Sequence, residues 1–126
     1  MRQVVKTERA PKAVGTYSQG ICANGFVFAS GQLGIDPVSG ALERGDFAKE
    51  AERVVENLKE VLEAGGSSLA DIVKLTVFLS DLSNFGALNA VFARFFVSEP
   101  PARSTVQVAA LPLGARVEVE AIGRIH

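Results

Sequence analysis

Arg103 and Glu118 are the residues whose types and surroundings invite chemistry. Arg103 follows Pro100-Pro101-Ala102 and heads "RSTVQV", where side chains alternate as in a strand. A guanidinium is a planar fork that binds a carboxylate through two parallel hydrogen bonds. Glu118 stands in "ARVEVEAIG", where Val117, Val119 and Ala121 share one strand face and Glu118 and Glu120 share the other. A carboxylate so placed can position water and move protons. The "LPLG" connection at 111–114 is short, which predicts that the two strands are antiparallel neighbours, with Arg103 and Thr105 on the Glu118/Glu120 side. Two readings fit such a pairing. One is a cross-strand ion pair, stabilising by roughly 0.2–1 kcal/mol. The other is a clamp for a substrate carboxylate beside a proton-handling group. Spacing alone does not choose between them.

Other reactive side chains carry weaker signals. Tyr17, the one tyrosine, lies in the glycine-bracketed "GTYSQG". Ser30 and Gly31 end an apolar run; Gly31 is either a turn residue or a place where a ligand approaches the backbone. Ser30 has no histidine nearby to activate it. Cys22, the single cysteine, reads as a small core residue. His126, the single histidine, is the last residue and reads as a frayed end. No zinc-type spacing of cysteine and histidine is present.

Regular elements must position these groups. Asn24-Gly25 between short apolar runs predicts a two-residue hairpin joining strands at about 19–23 and 26–31. "DPVSG" at 36–40 predicts a turn. Ala51, Val54, Val55, Leu58, Val61 and Leu62 recur at helical spacing, predicting a helix from Asp46 to Gly65-Gly66. Residues 71–81 read as a strand apolar on both sides. A second helix begins near Ser83, with Phe85, Leu88, Phe92, Phe95 and Phe96 as its buried stripe, and stops before Pro100-Pro101. Strands follow at about 103–109 and 116–125. The order implies one α+β domain over 1–126, a mixed sheet with two helices packed on one face. Two helices leave the other face bare, and its apolar residues imply burial between copies of the chain.

The net charge of −1 and the lack of a basic block argue against a nucleic-acid partner. No stretch reads as a membrane-spanning helix or a secretory signal, and one cysteine fits a reducing, cytoplasmic setting.

"APKAVGTYSQG", "FASGQLGIDPVSG", "DIVKLTVFLSDLSNFGALNAVF" and "PPARSTVQVAALPLGARVEVEAIG" together resemble the Rid family, the reactive-intermediate imine deaminases, most closely its RidA subgroup. The resemblance runs from about Ala10 to Ile125. It implies a chorismate-mutase-like fold and a homotrimer whose sheets face inward, with active sites in clefts between subunits. It implies hydrolysis of 2-enamino and 2-imino acids, such as 2-aminoacrylate and 2-iminopropanoate, to 2-keto acids and ammonia. No metal or organic cofactor is implied. By position, Arg103 resembles the arginine that binds the substrate carboxylate, and Glu118 the glutamate that orients and activates water. Tyr17, Ser30 and Gly31 resemble ligand-lining residues contributed across the subunit boundary. Thr105 stands where the family usually has cysteine; its hydroxyl can still donate a hydrogen bond. Asn89 matches a frequently shared asparagine on the second helix, and Thr16 replaces the proline usual before the tyrosine. The alternative is a non-catalytic trimer that binds a keto acid or amino acid in the same clefts.

Overall fold

The structure is a computed structural model that describes residues 2–126. Asn24 and Gly25 both take positive φ, 50° and 83°. The chain therefore reverses in two residues, as the Asn-Gly pair predicts. It joins β2 (Gly20–Ala23) to β3 (Phe26–Gln32), with Ala23 opposite Phe26. A strand not anticipated from the sequence, β1 (Gln3–Val5), pairs antiparallel with β2. Three residues are too few to show a period.

The first helix, α1 (Phe47–Ala64), begins where Asp46 accepts the Lys49 N–H at 2.9 Å. All six residues of its predicted stripe are buried. They pack against Val27 and Ala29 of β3 in a core that also takes in β4 (Ile72–Leu79). The second helix, α2 (Phe85–Phe95), buries Leu88 and Phe92 as expected, together with Val91. Phe95 and Phe96 are half-buried, and Phe85 is exposed. The chain ends with β5 (Ala102–Gln107) and β6 (Val117–Arg124).

The sheet order is β1-β2-β3-β6-β4-β5. Helix α2 connects parallel neighbours β4 and β5, and β6 runs antiparallel to both β3 and β4. This corrects the expectation that β5 and β6 are neighbours. Helix α1 carries the chain past a vacant lane beside β3, and β6 fills that lane last. Segment 108–116 crosses the end of β4 to reach it. Hydrogen bonds from Val108 N–H to Leu79 O and from Ser80 N–H to Arg116 O, 2.9 and 3.1 Å, hold the crossing.

Leu75, Val77 and Leu79 of β4 and Val117, Val119 and Ala121 of β6 turn toward the helices and are buried. The opposite face shows Phe28, Phe78 and Ile122 among Lys74, Thr76 and Glu120. It is thus mixed, where the sequence predicts an apolar strand on both sides. Phe28 remains 44% exposed. Among the described residues, no helix is long and apolar enough to cross a membrane.

Candidate active site

Two groups of candidate residues form on opposite sides of the sheet. Arg103 lies beside Leu75 and Thr105 beside Val77 across the parallel β4–β5 pair. Residues in register on adjacent strands share a face, so both point to the helix side. The Arg103 guanidinium carbon sits 5.5 Å from the Phe85 ring centroid and 5.7 Å from that of Phe92. This explains why Phe85 is not in the core: it supports a cation instead. Asn89 lies four residues after Phe85 and three before Phe92, on the same side of α2. Among the described residues Arg103 makes no ion pair. Thr105 Oγ1 is buried and has no hydrogen-bond partner among them.

The second group faces the other way. Glu118 and Glu120 sit opposite Phe78 and Thr76 on the sheet's uncovered side. Beside them the β3–β6 ladder is irregular between Ala29 and Gln32. At Gly31 an added Cβ would fall on the Glu118 carboxylate, 2.9 Å from its carboxyl carbon. Glycine is therefore the residue that lets β3 approach the acid. Ser30 donates its hydroxyl to Ser18 O at 2.6 Å and its N–H to Gln19 O at 2.9 Å. Tyr17 is 49% exposed, and its hydroxyl accepts the Val14 N–H at 3.3 Å. Tyr17, Ser30, Gly31, Glu118 and the 35–40 loop line one open cleft of about 920 Å³. Burial, and then the neighbouring Glu120 charge, raise the Glu118 pKa above the usual glutamate value.

Arg103 and Glu118 therefore do not meet within one chain, contrary to the expectation that they share a side. Strand β4 lies between theirs, which separates the two backbones by about 10 Å at normal strand spacing. Their side chains also leave the sheet in opposite directions.

The sequence model of the endoribonuclease L-PSP family matches residues 7–125. This chain belongs to that family, the Rid family. A 2-iminobutanoate/2-iminopropanoate deaminase of Rattus norvegicus is 44% identical, over 97% of this chain and 89% of its own. RidA of the Antarctic bacterium Psychrobacter sp. has a TM-score of 0.94 at 50% identity, covering 98% of this chain and 99% of that one. E. coli TdcF, solved with bound serine, has a TM-score of 0.93 at 39% identity, covering 98% and 99%.

Several residues that shape the Rid cleft escape a reading of the sequence. Buried Gln19 accepts the Thr7 N–H at 2.7 Å and donates to Thr7 O, Ala10 O and Pro11 O at 3.0, 3.3 and 2.8 Å. It thereby anchors the segment leading to Tyr17. Asn57, fully buried on α1, donates to Leu33 O and Ile35 O at 3.0 and 2.8 Å and so braces the cleft loop. A signal for Asn57 existed: a polar side chain three residues after Val54 and four before Val61, inside an apolar stripe. Gln19 has no such signal, because its partners are backbone groups of an irregular segment. Cys22 donates its thiol to Gly65 O at 3.4 Å at the end of α1. His126 is not frayed: its Nδ1 lies 3.1 Å from Asp71 Oδ2. Among the described residues, no three His, Cys, Asp or Glu side chains converge where a metal ion could sit.

Proposed function

We propose that this Rid protein is a homotrimeric hydrolase of reactive 2-imino and 2-enamino acids, working in the cytoplasm with active sites at the seams between copies. The observation that carries this is the division of the site residues into two halves, each incomplete. One half offers a cation on an aromatic cradle and a buried hydroxyl without a partner. The other offers a cleft with a half-buried carboxylate. Association that sets the β5 edge of one copy against the uncovered sheet face of the next would bury Phe28 and bring one copy's Arg103 to another copy's Glu118. Tyr17, Ser30 and Gly31 then belong with Glu118, and Thr105 and Asn89 with Arg103.

The chemistry follows from those roles. Arg103 and the Thr105 hydroxyl bind the substrate carboxylate, which orients C2. Glu118 takes a proton from water as the water oxygen adds to the imine carbon. It returns that proton to the nitrogen, giving a carbinolamine. It then relays the proton of the C2 hydroxyl to the same nitrogen, so that the C–N bond breaks, ammonia leaves and the C2 carbonyl forms. The sum is imino acid plus water giving keto acid plus ammonia. Fixing the reactants in place can lower the barrier by several kcal/mol. A carboxylate whose pKa is raised is a stronger proton acceptor than an ordinary glutamate, which suits a group that takes a proton from water. The carboxylates in the cleft would repel a phosphodiester, which disfavours RNA as the substrate.

The test couples a serine dehydratase, as source of the imine, to detection of keto acid and ammonia. Replacing Arg103→Ala removes charge-assisted hydrogen bonds and is expected to lower kcat/KM by roughly 100-fold, about 3 kcal/mol. Unchanged turnover in that variant would remove Arg103 from the mechanism. A trimer that binds 2-ketobutyrate but leaves imine lifetime unchanged would establish a binding protein instead.

A further inference from the structure

Glu50 on α1 is 1% exposed, and the mechanism above gives it no task. Its Oε2 accepts the Arg116 backbone N–H at 2.8 Å, and its Oε1 accepts the Arg116 Nε–H at 2.6 Å. The same guanidinium donates from Nη2 to Gly45 O at 2.8 Å. On the other side of the Arg116 backbone, its carbonyl accepts the Ser80 N–H at 3.1 Å. The residue just before β6 is thus held through both its N–H and its C=O. Side chains alternate along a strand with a period of two. Holding Arg116 therefore keeps Val117 and Val119 toward the core and aims Glu118 at the cleft.

The same glutamate touches the opposite wall. A Cβ on Gly34 would come within 2.8 Å of Glu50 O and 2.9 Å of Glu50 Cγ. Gly34 O accepts the Glu43 N–H at 2.8 Å, closing the loop whose residues 35–40 line the cleft. One buried residue therefore packs against both the residue that leads into the strand of Glu118 and the glycine that leads into the loop facing it.

We propose that Glu50 is a positioning residue for imine hydrolysis: by accepting the Arg116 N–H and abutting Gly34, it sets where Glu118 stands against the loop wall. The proposal rests on the assignment of Glu118 as the group that activates water. Its essential element is the acceptor for the backbone N–H. Glutamine can supply that acceptor, leucine cannot, and aspartate keeps the charge but withdraws it by one methylene.

The experiment measures kcat and KM for imine hydrolysis well below the melting temperature, on variants shown to be folded by circular dichroism. Because small displacements in an active site cost rate steeply, Glu50→Leu and Glu50→Asp are each expected to lose roughly tenfold in kcat with little change in KM. Glu50→Gln keeps most of the wild-type kcat. The control Glu52→Gln removes the exposed Glu52–Arg94 ion pair of 3.3 Å and behaves as wild type. A purely structural role would lower the melting temperature and leave kcat per folded site unchanged. Wild-type kcat in folded Glu50→Leu overturns the proposal. If that variant does not fold, wild-type kcat in Glu50→Asp does so. Equal loss in Glu50→Gln and Glu50→Asp overturns it as well. Absence of imine turnover in the wild-type protein overturns the deaminase reading itself, and this proposal with it.

Discussion

Glu118 and Gly31 form a unit in which one residue is small so that the other can sit close. A methyl group at position 31 would strike the Glu118 carboxylate, the mobile end of a side chain. The acid can swing away, so the fold should survive and the chemistry should not. Gly31→Ala is therefore expected to lower kcat by roughly tenfold or more with little change in melting temperature, as read from coupled turnover and thermal unfolding. Glu118 also makes a pH prediction. Burial, then Glu120, raise its pKa in the folded state, so the folded protein holds this proton more tightly than the unfolded chain. The stabilisation it contributes is complete below the ordinary glutamate pKa and is lost as pH rises through the raised one. Glu118→Gln should then melt at a higher temperature than wild type at neutral pH. The gap should close as pH falls below the ordinary glutamate range. A gap that stays constant with pH would show that Glu118 titrates like a solvent-exposed glutamate.

At the scale of elements, α1 supports the sheet and braces the cleft loop. Its apolar stripe packs on β3, and from the same side Asn57 reaches Leu33 O and Ile35 O. Removing a donor leaves partly buried carbonyls without partners. Asn57→Leu is expected to cost about 1–3 kcal/mol in chemical denaturation. It should also raise KM for the imine, because the loop it frees lines the cleft. A stability loss with KM unchanged would confine Asn57 to the core.

For the whole molecule, the separation of Arg103 from Glu118 within one chain means that the proposed activity would require an assembly of copies. In a closed ring of copies, each site would take Arg103 from one member and Glu118 from another. Arg103→Ala and Glu118→Gln chains, each expected to be strongly impaired alone, should regain activity when unfolded and refolded together. Random assortment would leave about a quarter of the sites with both native residues. The measurement is turnover of the mixture against each variant refolded alone, with the trimer mass checked by sedimentation. No gain over the separate variants would mean that both residues serve within one chain.

Much of this protein is legible in its sequence because the signals are local. The Asn24-Gly25 turn, the α1 stripe and the alternation of Glu118 and Glu120 with the valines of β6 each depend on residues a few positions apart. The resemblance to Rid proteins rests on ordered motifs in the same way, and the family match bears it out. Strand partners are not local. Whether β6 pairs with β5 or enters the lane between β3 and β4 depends on which arrangement buries Val117 and Val119 between two strands beneath α1. That is decided by burial over the whole sheet and not by the length of "LPLG". The sequence therefore names Arg103 and Glu118, and the tertiary structure sends them to opposite faces. Glu50 and Gln19 became visible only when folding brought distant backbone groups within hydrogen-bond reach. Asn57, marked in the sequence as a polar break in the α1 stripe, showed its partners only then, because a buried polar side chain is defined by partners that lie far away in the chain.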